Sequence, residues 1–353
     1  MSRILAAIAI IIANAASAAE TLRVLNWVDY LAPEIIEKFE AETGMKVIVD
    51  TYASTEQAEA ILLAAKNGGI DVAIAYSQQI NRLINGQIIR PLDLALLPNF
   101  AEVDQTITGP TDTTGAQYTA PYLWSTTGVG YNTDMIASRF PGGAPKSWAM
   151  IFDPAVLALL QDCGVMVVDN PETVVGGALS WLGIDPSSQT PEDIDRAFTV
   201  INTARQFWTS IESETVDPIA SGKVCVTMTW GSEVMLAIDI ARSGVSIDYM
   251  IPQEGSEIAM DNLVISAGSS NVAGAHKFID FMMRPEIIAL ATNSAFGANA
   301  IPASAAYVDD EIIGDPKIYP SDMDRRNLYT LAKNPAAIQA SINERWLMTR
   351  IGM

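Results

Sequence analysis

The stretch Leu22-Arg23-Val24-Leu25-Asn26-Trp27-Val28-Asp29-Tyr30 decides how the rest of the chain is read. A short apolar run, Leu22 to Leu25, is followed at once by two large aromatics and an acid. Helix signals come next. Pro33 suits a first helical turn, Glu34, Ile35, Ile36 and Phe39 continue it, and Thr43-Gly44 stops it. The pattern is strand, loop, helix. In α/β folds the loop at the carboxyl end of a strand opens onto the ligand crevice. Trp27, Asp29 and Tyr30 are therefore expected to face a cleft. An indole, a phenol and a carboxylate in one cleft suit a cationic, partly apolar ligand.

Outward toward the N-terminus, Met1-Ser2-Arg3 is a short basic segment and Ile4 to Ala13 an unbroken apolar one. Ala16-Ser17-Ala18 has the small-x-small pattern of a cleavage site. Residues 1–18 read as a signal peptide, which predicts export to a bacterial periplasm. No other apolar run approaches the ~20 residues of a spanning helix, so no membrane insertion is expected. The remainder, about 335 residues, suffices for two ordinary domains. With 21 Lys and Arg against 41 Asp and Glu, the formal net charge is −20. That balance argues against nucleic acid and anionic membrane surfaces as partners. In an oxidising compartment the two cysteines, Cys163 and Cys225, are most simply a disulfide. Two Cys and one His in this arrangement do not suggest a metal site, and no cofactor motif is present.

Outward toward the C-terminus, Met45 to Tyr52 reads as a second strand and Ser54 to Lys66 as a helix. Ile70 to Ala75 reads as a strand buried on both faces. Tyr76 and Ser77 at its end should also face the crevice. Ile80 to Asn85 is the next helix, so the chain from Leu22 to Gly86 has the β-α-β-α-β-α order of a doubly wound α/β half-domain. Tyr118 to Tyr131 is extended and too long for one ordinary strand, and is read as a crossing into a second lobe. There, Cys163 to Asp169 and Val224 to Trp230 are strands. Thr173 to Leu182 and Pro191 to Thr209 are helices, and Gly231-Ser232-Glu233 opens another. Ser246 to Pro252 is expected to cross back, with a strand at Asp261 to Ile265. Ala300 to Ala306 would cross once more, and Asp322 to Arg350 is expected to be largely helical. The expected lobes are 20–125 with 253–301, and 126–252 with 302–353. Two lobes joined by crossing strands can close around a ligand.

The chain resembles the periplasmic putrescine- and spermidine-binding proteins of polyamine ABC transporters. The resemblance rests on Asn26-Trp27-Val28-Asp29-Tyr30-Leu31-Ala32-Pro33, on Phe39-Glu40-Ala41-Glu42-Thr43-Gly44 and on Pro121 to Asn132. Further matches are Cys163-Gly164-Val165, Val226 to Trp230, Met283-Arg284-Pro285-Glu286 and Ile318-Tyr319-Pro320. It implies a type II periplasmic binding protein fold, with a ligand cleft between two α/β lobes joined by crossing hinge strands. It also implies a polyamine ligand, an ABC permease as membrane partner, a monomer, and a disulfide between Cys163 and Cys225. By the same resemblance, Trp27 and Tyr30 line the cleft and Trp230 walls it from the second lobe. Asp261 grips an ammonium group, with Asp29 and Glu233 at acidic positions near the ligand and Tyr76 and Ser77 at polar ones. The chain departs from the family where Thr173 stands for a Glu that helps hold the distal amine, and Glu172 is one residue away. It departs again where Ala259 stands for an aromatic and Gly297 for a Tyr.

Each of these residues also has a plainer reading. Trp27, Tyr30 and Trp230 can be core, Asp261 a turn residue, and Glu233 or Glu172 an acid favoured at a helix start. An enzyme finds little support. His276, the single histidine, reads as a solvated helix residue, and no Ser/His/Asp or Cys/His set, phosphate loop or metal-spaced His pair exists. The alternatives left open are another cationic amine or amino-acid derivative as ligand, and a ligand-sensing subunit in place of a transport component.

Overall fold

The structure is a computed structural model that describes residues 20–28, 30–104, 116–331 and 334–352. The signal-peptide reading of residues 1–18 and the cleft position of Asp29 lie outside the described residues.

The strands that build the site are β1 (Thr21–Trp27), β2 (Lys46–Tyr52), β3 (Val72–Tyr76), β4 (Ile89–Arg90), β5 (Ala120–Asn132), β6 (Val165–Val168), β7 (Ser210–Glu212), β8 (Val226–Trp230), β9 (Ile247–Met250) and β10 (Ser256–Ser266). They hydrogen-bond in the order β2-β1-β3-β10-β5-β8-β6-β7, with β4 on β10 and β9 on β5. β1 lies parallel to β2 and to β3, as doubly wound order requires. Both faces of this half are covered. The helices Pro33–Thr43, Val272–Met282 and Pro285–Ala295 bury Ile35, Phe39, Phe278, Phe281 and Ile288 against Val24, Ile74 and Ile265. The helices Thr55–Ala64 and Ser77–Asn85 bury Ala58, Leu62, Ile80 and Leu83 against Leu25, Ala73 and Val264. Double coverage explains why β3 is an unbroken run of buried apolar residues.

Local signals fix the element ends near the cleft. Pro33 starts its helix, and Gly44 ends it in a left-handed conformation at φ 72°. Asn170 caps the helix Pro171–Trp181 by accepting the Thr173 N–H at 3.1 Å.

The second lobe repeats the plan on a smaller sheet. β6 is parallel to β7 and β8, and Val129, Val165, Val167, Val226 and Met228 pack with Trp148, Phe152, Val174, Phe198 and Trp346. The disulfide Cys163–Cys225 joins the residues just ahead of β6 and β8, with Cα atoms 5.4 Å apart.

Two strands belong to both lobes. β5 runs for 13 residues. Its first half, through Thr126, pairs with β10, and its second half, from Thr127, pairs with β8. β10 lies between β3 and β5 over Asp261 to Leu263 and continues back to Ser256, where Leu328 pairs with it. The crossing expected at Tyr118 to Tyr131 is therefore β5. The return expected at Ser246 to Pro252 falls elsewhere. Ile247–Met250 pairs with Val129 to Asn132 inside the second lobe, and the strand that crosses is β10. Its polar members Ser256, Glu257 and Asp261 had hidden a continuous strand behind an apparent turn. Nor does Ala300 to Ala306 cross. Ala298 and Asn299 pair with β5, and Pro302–Ala306 is a short 3-10 turn in contact with the helix Pro285–Ala295. Val308, Ile312 and Ile318 then pack with Ala289, Trp124 and Met260. The C-terminal helix Ala336–Arg350 packs on the second lobe, and between it and the short helix Asp322–Arg325 a strand intervenes at Leu328–Tyr329.

His276 is 3 % exposed rather than solvated. Its Nδ1–H donates to the Val272 carbonyl at 2.8 Å, and its Nε2 accepts the Asp93 N–H at 2.9 Å. This defines one neutral tautomer and ties a loop to a helix, which is a structural role.

Candidate ligand cleft

The first wall of the cleft rises where β1 and β3 end beside the middle of β10. Asp261 is paired with Tyr76 across β10 and β3. Two residues of β5, Tyr122 and Leu123, sit opposite the single Asp261, because the register shifts between Met260 and Asn262. Trp27, the last residue of β1, donates its indole N–H to Asp261 Oδ1 at 3.2 Å. The Tyr30 hydroxyl is a second neutral donor to the same carboxylate. Around them stand Tyr52, whose ring is 4.3 Å from that of Trp27, and Tyr122, edge-on to Tyr30 at 5.5 Å. The Tyr122 hydroxyl donates to the Tyr30 carbonyl at 2.8 Å and fixes the loop after β1.

Burial in this aromatic wall pushes the Asp261 carboxyl up to about 6, although the Trp27 and Tyr30 hydrogen bonds favour its ionised form. Burial, together with the Asp261 charge, in turn holds the Tyr30, Tyr52 and Tyr122 hydroxyls protonated well above their ordinary range. The result is a partly buried carboxylate among π-faces whose hydrogen-bond donors are neutral.

The second cluster lies further along β10. Glu257 is 3 % exposed. Its Oε1 accepts the Tyr76 hydroxyl at 2.6 Å and the Gln78 amide at 2.6 Å. Its Oε2 accepts Thr173 Oγ1 at 2.8 Å and Thr127 Oγ1 at 3.3 Å. Burial pushes this carboxyl up against those four donors. Tyr76 is edge-on to Trp230, with ring centroids 6.3 Å apart, so the first lobe meets the second here. The indole nitrogen of Trp230 is buried with no hydrogen-bond partner among the described residues.

The structure thus brings Trp27, Tyr30 and Asp261 into one cluster, and Tyr76 and Trp230 into a neighbouring one. Ser77 accepts the Asn262 side-chain amide at 2.9 Å, on the strand beside Asp261. Glu233 is turned to its own lobe. Thr229 donates to its carboxylate at 2.5 Å and Thr215 donates to the same oxygen, while burial pushes the group up to about 7. Glu172 is not brought to either cluster. Gln339 donates to it at 2.6 Å, and Arg82 of the facing lobe lies 3.8 Å away. Reading the sequence alone missed Glu257, Gln78, Tyr52 and Tyr122. For Glu257 a signal existed, an acid four residues before Asp261 in a stretch otherwise fit for a strand.

The matching family model, bacterial extracellular solute-binding protein, covers residues 34–320. The chain belongs to the bacterial extracellular solute-binding proteins. This solute-binding protein is 33% identical to the putrescine-binding periplasmic protein SpuD of Pseudomonas aeruginosa over 350 residues, 97% of this chain and 95% of the relative. It is 30% identical to the putrescine-binding periplasmic protein PotF of Escherichia coli, over 98% of this chain and 96% of that one. Among solved structures, a putative spermidine/putrescine ABC transporter protein from Listeria monocytogenes superposes with a TM-score of 0.82 at 27% identity, covering 95% of this chain and all of the other. The solute-binding family is one of transport proteins and not of enzymes. Among the described residues no helix is long and apolar enough to cross a membrane, and no cluster of His, Cys, Asp or Glu is arranged to hold a metal.

Proposed function

We propose that this protein is the periplasmic binding component of an ABC importer and that its ligand is a polyamine or a closely similar cationic amine. The observation that carries the reading is Asp261. Its carboxylate is partly buried among Trp27, Tyr30, Tyr52 and Tyr122, and the groups that stabilise its charge are all neutral. A buried charge without a counter-charge is costly, and an ammonium group removes that cost. Each charge-assisted hydrogen bond to it contributes roughly 1.5–3 kcal/mol, and a desolvated cation–π contact about 2 kcal/mol. The names of the curated relatives, which bind putrescine, support the same class.

In this reading Trp27, Asp29, Tyr30, Tyr76, Ser77, Trp230 and Asp261 contribute to the cleft. Glu233 braces the second wall, and Glu172 meets Arg82 at the rim. The moving bodies are 20–125 with 253–301 and 126–252 with the C-terminal helix, and 302–318 travel with the first because of their packing on Ala289 and Trp124. The protein works as an exported monomer that closes on its ligand and presents the closed form to an inner-membrane permease.

The test is a thermal-shift screen of ligand-stripped protein against putrescine, cadaverine, spermidine, agmatine and neutral controls. Ligand at 100 times its dissociation constant adds about 2.7 kcal/mol, a rise of several degrees at roughly 2–4 °C per kcal/mol. A shift with an amine and none with the controls supports the class. Folded protein that no amine stabilises overturns it.

A further inference from the structure

We propose that Glu257 is the second negative pole of the cleft and that it commits the site to ligands carrying two cationic heads. This deepens the cationic-amine reading above and rests on it.

The geometry of β10 is the first ground. Side chains alternate along a strand, so Glu257, Ala259 and Asp261 share one face and the two acids are rooted about 13 Å apart. The other face is accounted for, because Ile258 and Met260 pack with Trp124, Ala298 and Ile318. Ala259, between the acids, has the smallest side chain that keeps the strand regular, and leaves a methyl floor where a methylene chain can lie. Tyr76 runs alongside. It is paired with Asp261 at its backbone, its hydroxyl reaches Glu257, and both acids act on that hydroxyl.

The second ground is the charge. An acid at position 257 gives four donors their acceptor, but a neutral acceptor would serve them without the desolvation cost of a carboxylate. The groups that hold Glu257 are two threonines, a tyrosine and a glutamine, all neutral. The hydroxyls of Tyr76 and Thr173 donate to the carboxylate, and each oxygen keeps lone pairs that can accept from a donor. An ammonium head can lodge on those two oxygens with the Glu257 charge directly behind it. The donors come from both sides of the cleft, Tyr76 and Gln78 from the first lobe and Thr173 from the second, so this pole is complete only when the lobes are together.

A ligand with one cationic head satisfies Asp261 and leaves Glu257 uncompensated. A linear diamine or longer polyamine satisfies both when it is long enough for its heads to bridge the gap between the two carboxylates, whose Cα atoms are about 13 Å apart.

Calorimetry with putrescine, spermidine and the one-headed probe 1-butylamine tests this on the wild type, Glu257→Gln and Glu257→Asp. The wild type is expected to prefer the better two-headed probe over butylamine by about tenfold or more. Glu257→Gln should lower putrescine or spermidine affinity about tenfold more than butylamine affinity, erasing that preference, and Glu257→Asp should keep part of it. Equal losses for all probes, or equal losses in the Gln and Asp variants, would assign Glu257 a packing role and overturn the proposal. So would a preference that survives in Glu257→Gln. Wild-type protein that binds none of the three probes overturns the amine reading itself, and this inference with it.

Discussion

Trp27 and Asp261 are 234 positions apart in the chain and meet at 3.2 Å, indole N–H to carboxylate, where β1 ends on one side of β3 and β10 passes along the other. The contact makes one residue of the first strand and one of the crossing strand a single unit. Asp261→Ala is expected to lower affinity for putrescine more than tenfold, the loss of one charge-assisted contact. Near-UV circular dichroism should remain that of the folded protein. Trp27→Phe keeps an aromatic face and loses the donor, so its loss should be smaller. An Asp261→Ala protein that binds like wild type would remove Asp261 from the site.

Binding should release protons near neutral pH. Burial lifts Asp261 to about 6 and Glu233 to about 7 in the free protein. Because these values lie above those of the unfolded chain, the stability the two groups contribute is fully present below about pH 4. It is lost as pH rises through about 6 and 7. A cationic ligand favours the ionised form and works in the other direction, so affinity falls as pH is lowered from 7.5 to 5. Calorimetry at pH 6.5 in two buffers of different ionisation enthalpy measures the protons released. Identical heats in both buffers would contradict the assignment.

Opening the Cys163–Cys225 bond should soften the second lobe without disabling the anchor at Asp261. The cysteines are 62 residues apart, and a loop of that length corresponds to about 4 kcal/mol in the chain-entropy account. At roughly 2 °C per kcal/mol the double Cys→Ser variant melts about 8 °C lower. Its putrescine affinity at 20 °C should stay within about threefold. A melting temperature unchanged on reduction would contradict the expectation.

Gly128 marks how tightly the crossing is packed. A Cβ there would lie 2.4 Å from the Met250 carbonyl oxygen and 2.5 Å from the Tyr249 hydroxyl. Tyr249 in turn donates to the Thr126 carbonyl at 2.7 Å. Gly128→Ala is expected to cost about 1–3 kcal/mol by overpacking and to lower the denaturation midpoint in urea. A midpoint equal to wild type would show that β9 yields easily.

Much of the fold was legible because its signals are local. Pro33 and Gly44 bracket a helix, β3 is a wholly apolar run, and the β-α alternation to Gly86 leaves little choice of topology. What escaped the sequence was partnership. Nothing at Ser246 to Pro252 says that it pairs with Val129 to Asn132 rather than crossing, and nothing near Ala300 says that the chain stays with the first lobe. In the cleft, aromatics and acids at strand ends were readable as types, but the partner of each carboxylate was not. Thr173, where the resemblance implies a Glu, does touch a carboxylate, that of Glu257 from a strand 84 positions away. His276 is the opposite case, a helix residue in a polar setting that a loop from the Asp93 region covers.

The handover on β5, from β10 to β8 between Thr126 and Thr127, has a mechanical consequence. In the proposed closure, a backbone paired on both sides of that point would leave the lobes little slack to slide or drift apart. Their relative motion would then reduce to torsion about a stiff spar. On that reading, occupancy of the interior would be converted into an angle displayed on the outer surface, a signal that a membrane partner could sense without ever touching the cargo.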